Sequence, residues 1–173
     1  TKDKSWDDSL TIEMINKLSD EHAILKQDLL FTGLESIKHN INRKQKNLKL
    51  FEFDKIYKKE NKTYIEKNKV GIYLTGSLYE EHYSRKESKV YFEDMINLMN
   101  RFFIMANINS YETVESVSNT LQNCIIIKSA NKNLCKIGSV KENLLSKFDI
   151  QQEVIFAEIN WDNYLYFFNE KFT

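Results

Sequence analysis

Apolar residues recur along this chain at two different periods, and the switching between them limits the folds open to it. Leu30, Leu34, Ile37 and Ile41 fall at i, i+4, i+7 and i+11, with Phe31 widening the stripe. Phe92, Met95, Ile96, Met99 and Phe103 also recur at helical spacing. Each set makes one apolar stripe on a helix. Elsewhere the patterning is that of strands. Leu10, Ile12 and Met14 alternate with polar neighbours, and strand-like pieces follow at residues 48–57, 64–65, 70–75, 111–117, 123–129, 134–140 and 154–159. The run at 48–57 reads as a buried strand, 58–62 as a charged turn and 78–89 as a polar loop. Residues 141–148 suit a short helix, and Asn160 offers a cap for a last helix over 161–168. Strand runs mixed with separated helices point to an α+β domain. No repeat or linker divides the 173 residues, so one domain is expected.

Composition removes several function classes. Lys+Arg and Asp+Glu are both 25, and a net charge of zero argues against a dedicated nucleic-acid binder. Hydrophobic residues make up 42%, too many for a disordered chain. There is no proline, and the four glycines (Gly33, Gly71, Gly76 and Gly138) are scattered, so no phosphate-cradling loop is present. The longest apolar runs, such as Cys124-Ile125-Ile126-Ile127, are far too short to span a bilayer. No apolar stretch follows a basic start, so no signal peptide and no membrane association are expected, and the location is read as cytoplasmic. The first residue is Thr1, which suggests a piece of something longer.

The side chains that commonly carry chemistry are dispersed. A hairpin pairing Ser129 with Leu134 would set Cys124 opposite Ser139 and Cys135 opposite Lys128, several rungs apart, so both cysteines are expected reduced. His22, His39 and His82 are isolated, without zinc spacing. Glu80-Glu81 and Glu93-Asp94 could hold Mg²⁺ or act as acid–base pairs, but carboxylates are common on any solvated face. No nucleophile elbow or Cys–His signature occurs. Residues 38–49 are basic. They suit a solvated helix end, with cations favourable against the helix dipole. Contact with an RNA backbone through Arg43, Lys44 and Lys46 is the alternative, but no interleaved aromatics support it. The 30–41 stripe itself fits packing on the chain's own core or on a partner helix.

One longer stretch is more specific. Asn16-Lys17-Leu18-Ser19-Asp20-Glu21-His22, then Leu25-Lys26, Leu29-Leu30 and Gly33-Leu34, lead into Asn42-Arg43 and Leu48-Lys49-Leu50-Phe51-Glu52-Phe53. This order resembles the β subunit of bacterial phenylalanyl-tRNA synthetase. That family shows N-P-L-S-x-E-H-x-x-L-R-x-x-L-L-x-G-L-L, an Asn/Arg-rich helix end and a strand reading L-x-L-F-E-x-G. Val70 to Gly76, Tyr91-Phe92-Glu93-Asp94, Leu144 to Ile150 and Glu158-Ile159-Asn160-Trp161 continue the match in order. Lys17 stands where the family has proline. The family's H-P-G-R and G-E-L-H-P runs are replaced near Val117-Ser118-Asn119-Thr120 and Gly138-Ser139-Val140-Lys141.

The resemblance implies a catalytic-like module of a longer β chain, spanning residues 1–173. It would have the class II aminoacyl-tRNA synthetase fold, an antiparallel sheet flanked by helices. The holoenzyme is a heterotetramer that attaches phenylalanine to its tRNA using ATP and Mg²⁺, with the reaction centre in the α chain. This piece would hold no catalytic residues, metal or cofactor of its own. Leu30, Leu34, Ile37 and Ile41 would sit on a motif-1-like helix at the interface with the α subunit, and Arg43, Lys44 and Lys46 would be candidates for contact with tRNA. Class II catalysis needs Arg-x-Glu on a strand to neutralise the α-phosphate of ATP. Arg43, Arg85 and Arg101 are the only arginines, and Arg85-Lys86-Glu87 fits in letters but lies in a polar stretch. Two rival readings are a stand-alone protein–protein interaction domain and a small RNA-binding domain using residues 38–49.

Overall fold

A computed structural model describes residues 26–60, 63–79 and 88–170. In chain order the elements are α1 (Leu30–Asn42), β1 (Leu48–Glu60), β2 (Thr63–Thr75), β3 (Ser77–Tyr79), β4 (Ser88–Lys89), α2 (Phe92–Met105), β5 (Glu112–Glu115), β6 (Leu121–Ser129), β7 (Lys132–Val140), α3 (Glu142–Lys147), β8 (Val154–Asn160) and α4 (Trp161–Glu170). Six strands form one sheet in the order β1-β2-β8-β7-β6-β5, and every neighbouring pair is antiparallel. The expected α+β class with helices flanking an antiparallel sheet is what forms.

Period-two alternation sends successive side chains to opposite faces. From β2 and β8, Tyr73, Val154 and Phe156 point to a core shared with Leu30, Leu34 and Ile37 of α1 and Leu144 and Leu145 of α3. Ile72, Leu74, Ile155, Ala157 and Ile159 point the other way, to Met95, Met99 and Phe103 of α2 and Tyr164 of α4. The methionine stripe therefore fills core, as such stripes commonly do.

Helix ends are set locally. The Asp28 carboxylate accepts the Leu30 N–H at 3.0 Å, where α1 begins. Lys44 takes the left-handed conformation (φ 67°), and the N–H groups of Arg43 and Lys44 close onto the carbonyls of Asn40 and Ile41. Asp94 accepts the Tyr91 N–H at 2.8 Å at the start of α2. Asn160 caps α4 as its position suggests, its side-chain oxygen accepting the Asn163 N–H.

Several expectations are corrected. Leu30, Leu34 and Ile37 are at most 2% exposed, sealed against this chain's own sheet, so they cannot form a subunit contact; Ile41 is only partly covered. A stripe at helical period is what any helix needs to seat on a sheet. The run at 48–57 belongs to an edge strand, with Phe51 79% and Phe53 53% exposed. Residues 58–60 continue β1, residues 64–75 are one strand, and Ser77–Tyr79 and Ser88–Lys89 pair as a short ribbon. The β6–β7 hairpin pairs Ser129 with Lys132, two residues tighter than the sequence suggests, and past a shift of register it pairs Cys135 with Ile127, one residue from the expected Lys128. Both cysteines are buried and free. The strand expected at 10–14, His22, Glu80-Glu81, His82 and Arg85-Lys86-Glu87 lie outside the described residues. No described helix is long and apolar enough to cross a membrane.

Candidate functional site

The α1 side of the sheet is divided into two halves. Leu48, Leu50, Tyr73, Phe156 and Val154 lie beneath α1 and α3. Toward the β1–β2 hairpin tip the same face turns polar. There the registers set Glu52 opposite Gly71, Asp54 opposite Lys69, Gly71 opposite Glu158 and Glu158 opposite Lys136. These side chains share one face because paired residues do. A cavity of about 140 Å³ opens here against Lys69, Lys136, Glu158 and Asn160.

Two of the three lysines of this half-face are paired with its carboxylates. Lys69 Nζ lies 3.0 Å from Glu158 Oε1, each side chain only 13% exposed. Lys26 Nζ bridges Glu52 Oε1 at 2.7 Å and Asp54 Oδ2 at 2.6 Å. The second oxygen of Glu52 accepts the Thr32 hydroxyl at 2.7 Å, which ties β1 to α1. The Asp28 carboxyl is pushed up to about 6, by burial first and then by the charge of Glu158. Burial also raises the Tyr73 phenol, so it stays protonated and donates to the Leu29 carbonyl at 2.5 Å. Burial likewise raises the Cys135 thiol, which makes it a poor nucleophile.

Chemically this is a closed network. Four carboxylates (Asp28, Glu52, Asp54 and Glu158) face three ammonium groups (Lys26, Lys69 and Lys136), a balance that repels rather than collects a triphosphate. None of the described strands carries an arginine; Arg43 lies past the end of α1 and Arg101 on α2. Among the described residues no group of three His, Cys, Asp or Glu side chains could hold a metal ion. Asp94, half of one acidic pair singled out in the sequence, is occupied at the start of α2. His39 is exposed on α1. The network was not readable beforehand, since Asp28, Lys69 and Glu158 share no sequence spacing; only strand register brings them together.

Arg43, Lys44 and Lys46 do come together, exposed in the turn between α1 and β1. That turn is tied to its surroundings. Gln152 Nε2 donates to the Lys46 carbonyl at 2.7 Å, and the Ser77 N–H donates to Asn47 Oδ1 at 2.9 Å.

The fold and the polar half-face can be set beside known proteins. The family model described as phenylalanyl tRNA synthetase beta chain CLM domain matches residues 2–161. This chain belongs to that family. Among curated relatives, the phenylalanine–tRNA ligase β subunit of Porphyromonas gingivalis is 30% identical over 171 residues, covering 92% of this chain and 21% of the relative. That of Bacteroides thetaiotaomicron is 31% identical over 169 residues, covering 87% and 20%. The CLM domain described here thus spans about a fifth of the length of these relatives. Among solved structures, pyrrolysyl-tRNA synthetase from Desulfitobacterium hafniense superposes with a TM-score of 0.67 at 16% identity, over 91% of this chain and 52% of that one. At that identity the likeness establishes the fold alone, and the fold is that of a class II synthetase.

Proposed function

We propose that this CLM domain is a non-catalytic assembly module of a phenylalanine–tRNA ligase β subunit. The holoenzyme joins phenylalanine to its tRNA with ATP and Mg²⁺. In this reading the chemistry takes place in the α subunit, and the present chain supplies a class II-like body that helps hold the complex together in the cytoplasm. The observation carrying the proposal is the polar half-face of a synthetase-like sheet, where Lys26 and Lys69 are already bound to carboxylates and the described strands hold no arginine. Binding ATP there would break internal ion pairs before any phosphate contact formed. Family membership weighs against the rival reading of a stand-alone interaction domain.

Two measurements test this. Titration of the β chain alone with ATP should give no saturable heat, and such heat would overturn the non-catalytic reading. Co-expression with an α subunit should give co-elution on gel filtration, and separate elution would overturn the assembly reading.

A second role is supported by the fixed basic turn. Arg43, Lys44 and Lys46 stand on backbone held by Gln152 and Ser77, so a tRNA phosphate would meet a prepared surface. Charge reversal at Lys44 and Lys46 should lower tRNA affinity and flatten its salt dependence. Unchanged affinity and slope would exclude the role.

A further inference from the structure

The edge strand β1 sorts its side chains by chemistry. Its even-numbered positions face α1 and carry Glu52 and Asp54, both held by Lys26. The odd-numbered positions face the α4 side, where Phe53 packs edge-on against Trp161 at 5.6 Å. Those positions read Lys49, Phe51, Phe53, Lys55, Tyr57 and Lys59, lysines and aromatics without an acid. Tyr64 of β2 stands opposite Lys59, whose ammonium lies 6.0 Å from its ring. Phe51 is 79% exposed and Tyr64 66%, large rings offered to solvent. Glu66 is the acid that β2 adds to this face, and it is bound to Lys55 at 2.6 Å. The strip begins at the basic turn of Arg43, Lys44 and Lys46 and runs the length of the hairpin.

We propose that the odd-numbered face of the β1–β2 hairpin is a stacking strip for single-stranded RNA. Rings two residues apart on one strand are separated by about 7 Å, comparable to successive bases of an extended single strand. Planar rings beside lysines are the groups by which such strands are held without sequence preference. A protein that adds a strand here is disfavoured because the outer edge of β1 is in part taken by this chain, the Tyr57 N–H donating to the Lys26 carbonyl at 2.8 Å. The inference does not rest on the assembly reading: loss of co-elution with an α subunit would leave it standing, and its own failure would leave assembly standing.

The test is photo-crosslinking of the intact protein to an oligouridylate of about ten nucleotides carrying 4-thiouridine. Crosslinks should map to residues 49–59 and to Tyr64. Phe51→Ala should weaken binding on the order of tenfold without altering the circular dichroism spectrum, since the ring is exposed. Lys59→Glu should reduce the salt slope, and duplex RNA should compete poorly. Crosslinks mapping elsewhere, an unchanged affinity for Phe51→Ala, or equal competition by duplex would overturn the proposal. So would Phe51 becoming covered by the α subunit in the copurified complex, which would make the strip a protein-docking face.

Discussion

The ring of Tyr73 occupies the space that a side chain on Gly33 would need. A Cβ at Gly33 would lie 2.0 Å from Tyr73 Cε1, a distance no side chain tolerates. The ring reaches this place because its hydroxyl donates to the Leu29 carbonyl one turn earlier, which fastens the start of α1 to β2. Gly33→Ala should therefore destabilise the chain by about 2 kcal/mol, the overpacking cost outweighing the gain in helix propensity. Urea denaturation measures this. Tyr73→Leu introduced into Gly33→Ala should restore part of the loss, and strictly additive effects would contradict the contact.

Leu34 is fully buried in the core between α1 and the sheet. Leu34→Asp should abolish the cooperative unfolding transition, because a carboxylate would be left unpaired in an apolar core. Glu35→Lys, one residue along on the exposed side of α1, should shift stability by no more than about 0.5 kcal/mol. Loss of α-subunit binding by Leu34→Asp would thus report unfolding, not a broken interface. A folded Leu34→Asp protein with a normal midpoint would contradict the burial.

The contrast between these two residues marks what the sequence could disclose. Helical period revealed that a stripe at Leu30, Leu34 and Ile37 would be covered. It carried no information on whether the cover was the chain's own sheet or another subunit, since both demand the same spacing. The β1 run was legible as a strand, but its position at the sheet edge depends on which strands come to lie beside it, and Phe51 looks the same in a core and on a rim. The polar half-face was illegible because Lys26, Asp28, Lys69 and Glu158 meet only through the pairing of β1, β2 and β8. The family resemblance was readable because it sits in local order, from Asn16 to Phe53.

Asp28 has a folded-state pKa of about 6, above its ordinary 3.8, because burial and the charge of Glu158 disfavour its ionised form. The folded state then holds this proton more tightly than the unfolded state. The benefit is complete below the unfolded pKa and is lost as pH rises through about 6. Asp28→Asn removes this loss while its side-chain oxygen can still accept the Leu30 N–H. The variant should be more stable than the parent at pH 7 by on the order of 1 kcal/mol, discounted for the residue's partial exposure, with the advantage vanishing near pH 4. Denaturation midpoints compared across that range test it, and a constant difference would be the wrong shape.

Lys69 and Glu158 are each mostly withdrawn from solvent, so removing one strands the other. Lys69→Met should cost about 3 kcal/mol at neutral pH, because Glu158 would remain beside Asp28 without its cation. Glu158→Gln should in addition bring the Asp28 carboxyl back toward its ordinary value, since the charge that raises it is gone. Combining the two substitutions should cost less than their sum. A carboxyl-carbon NMR titration follows Asp28 directly, and an unmoved midpoint in Glu158→Gln would dissociate the two acids.

The hairpin between β6 and β7 turns on Ala130 and Asn131, with φ of 45° and 60°. Two consecutive positive φ angles joining directly paired strands are those of a type I′ turn, which favours Asn followed by Gly. Alanine meets a steric cost there that glycine and asparagine largely avoid. The sequence Ala130-Asn131-Lys132-Asn133 suggests a four-residue loop because Ala130 gives no sign of this conformation; with Asn-Gly the two-residue turn would have been plain. Replacing Ala130 by Asn and Asn131 by Gly should therefore stabilise the chain by about 1 kcal/mol while the Ser129–Lys132 register holds. Thermal denaturation gives the magnitude, and cross-strand NOEs between Cys135 and Ile127 report the register. A lowered midpoint with those NOEs intact would show that the turn's own conformation does not limit the hairpin.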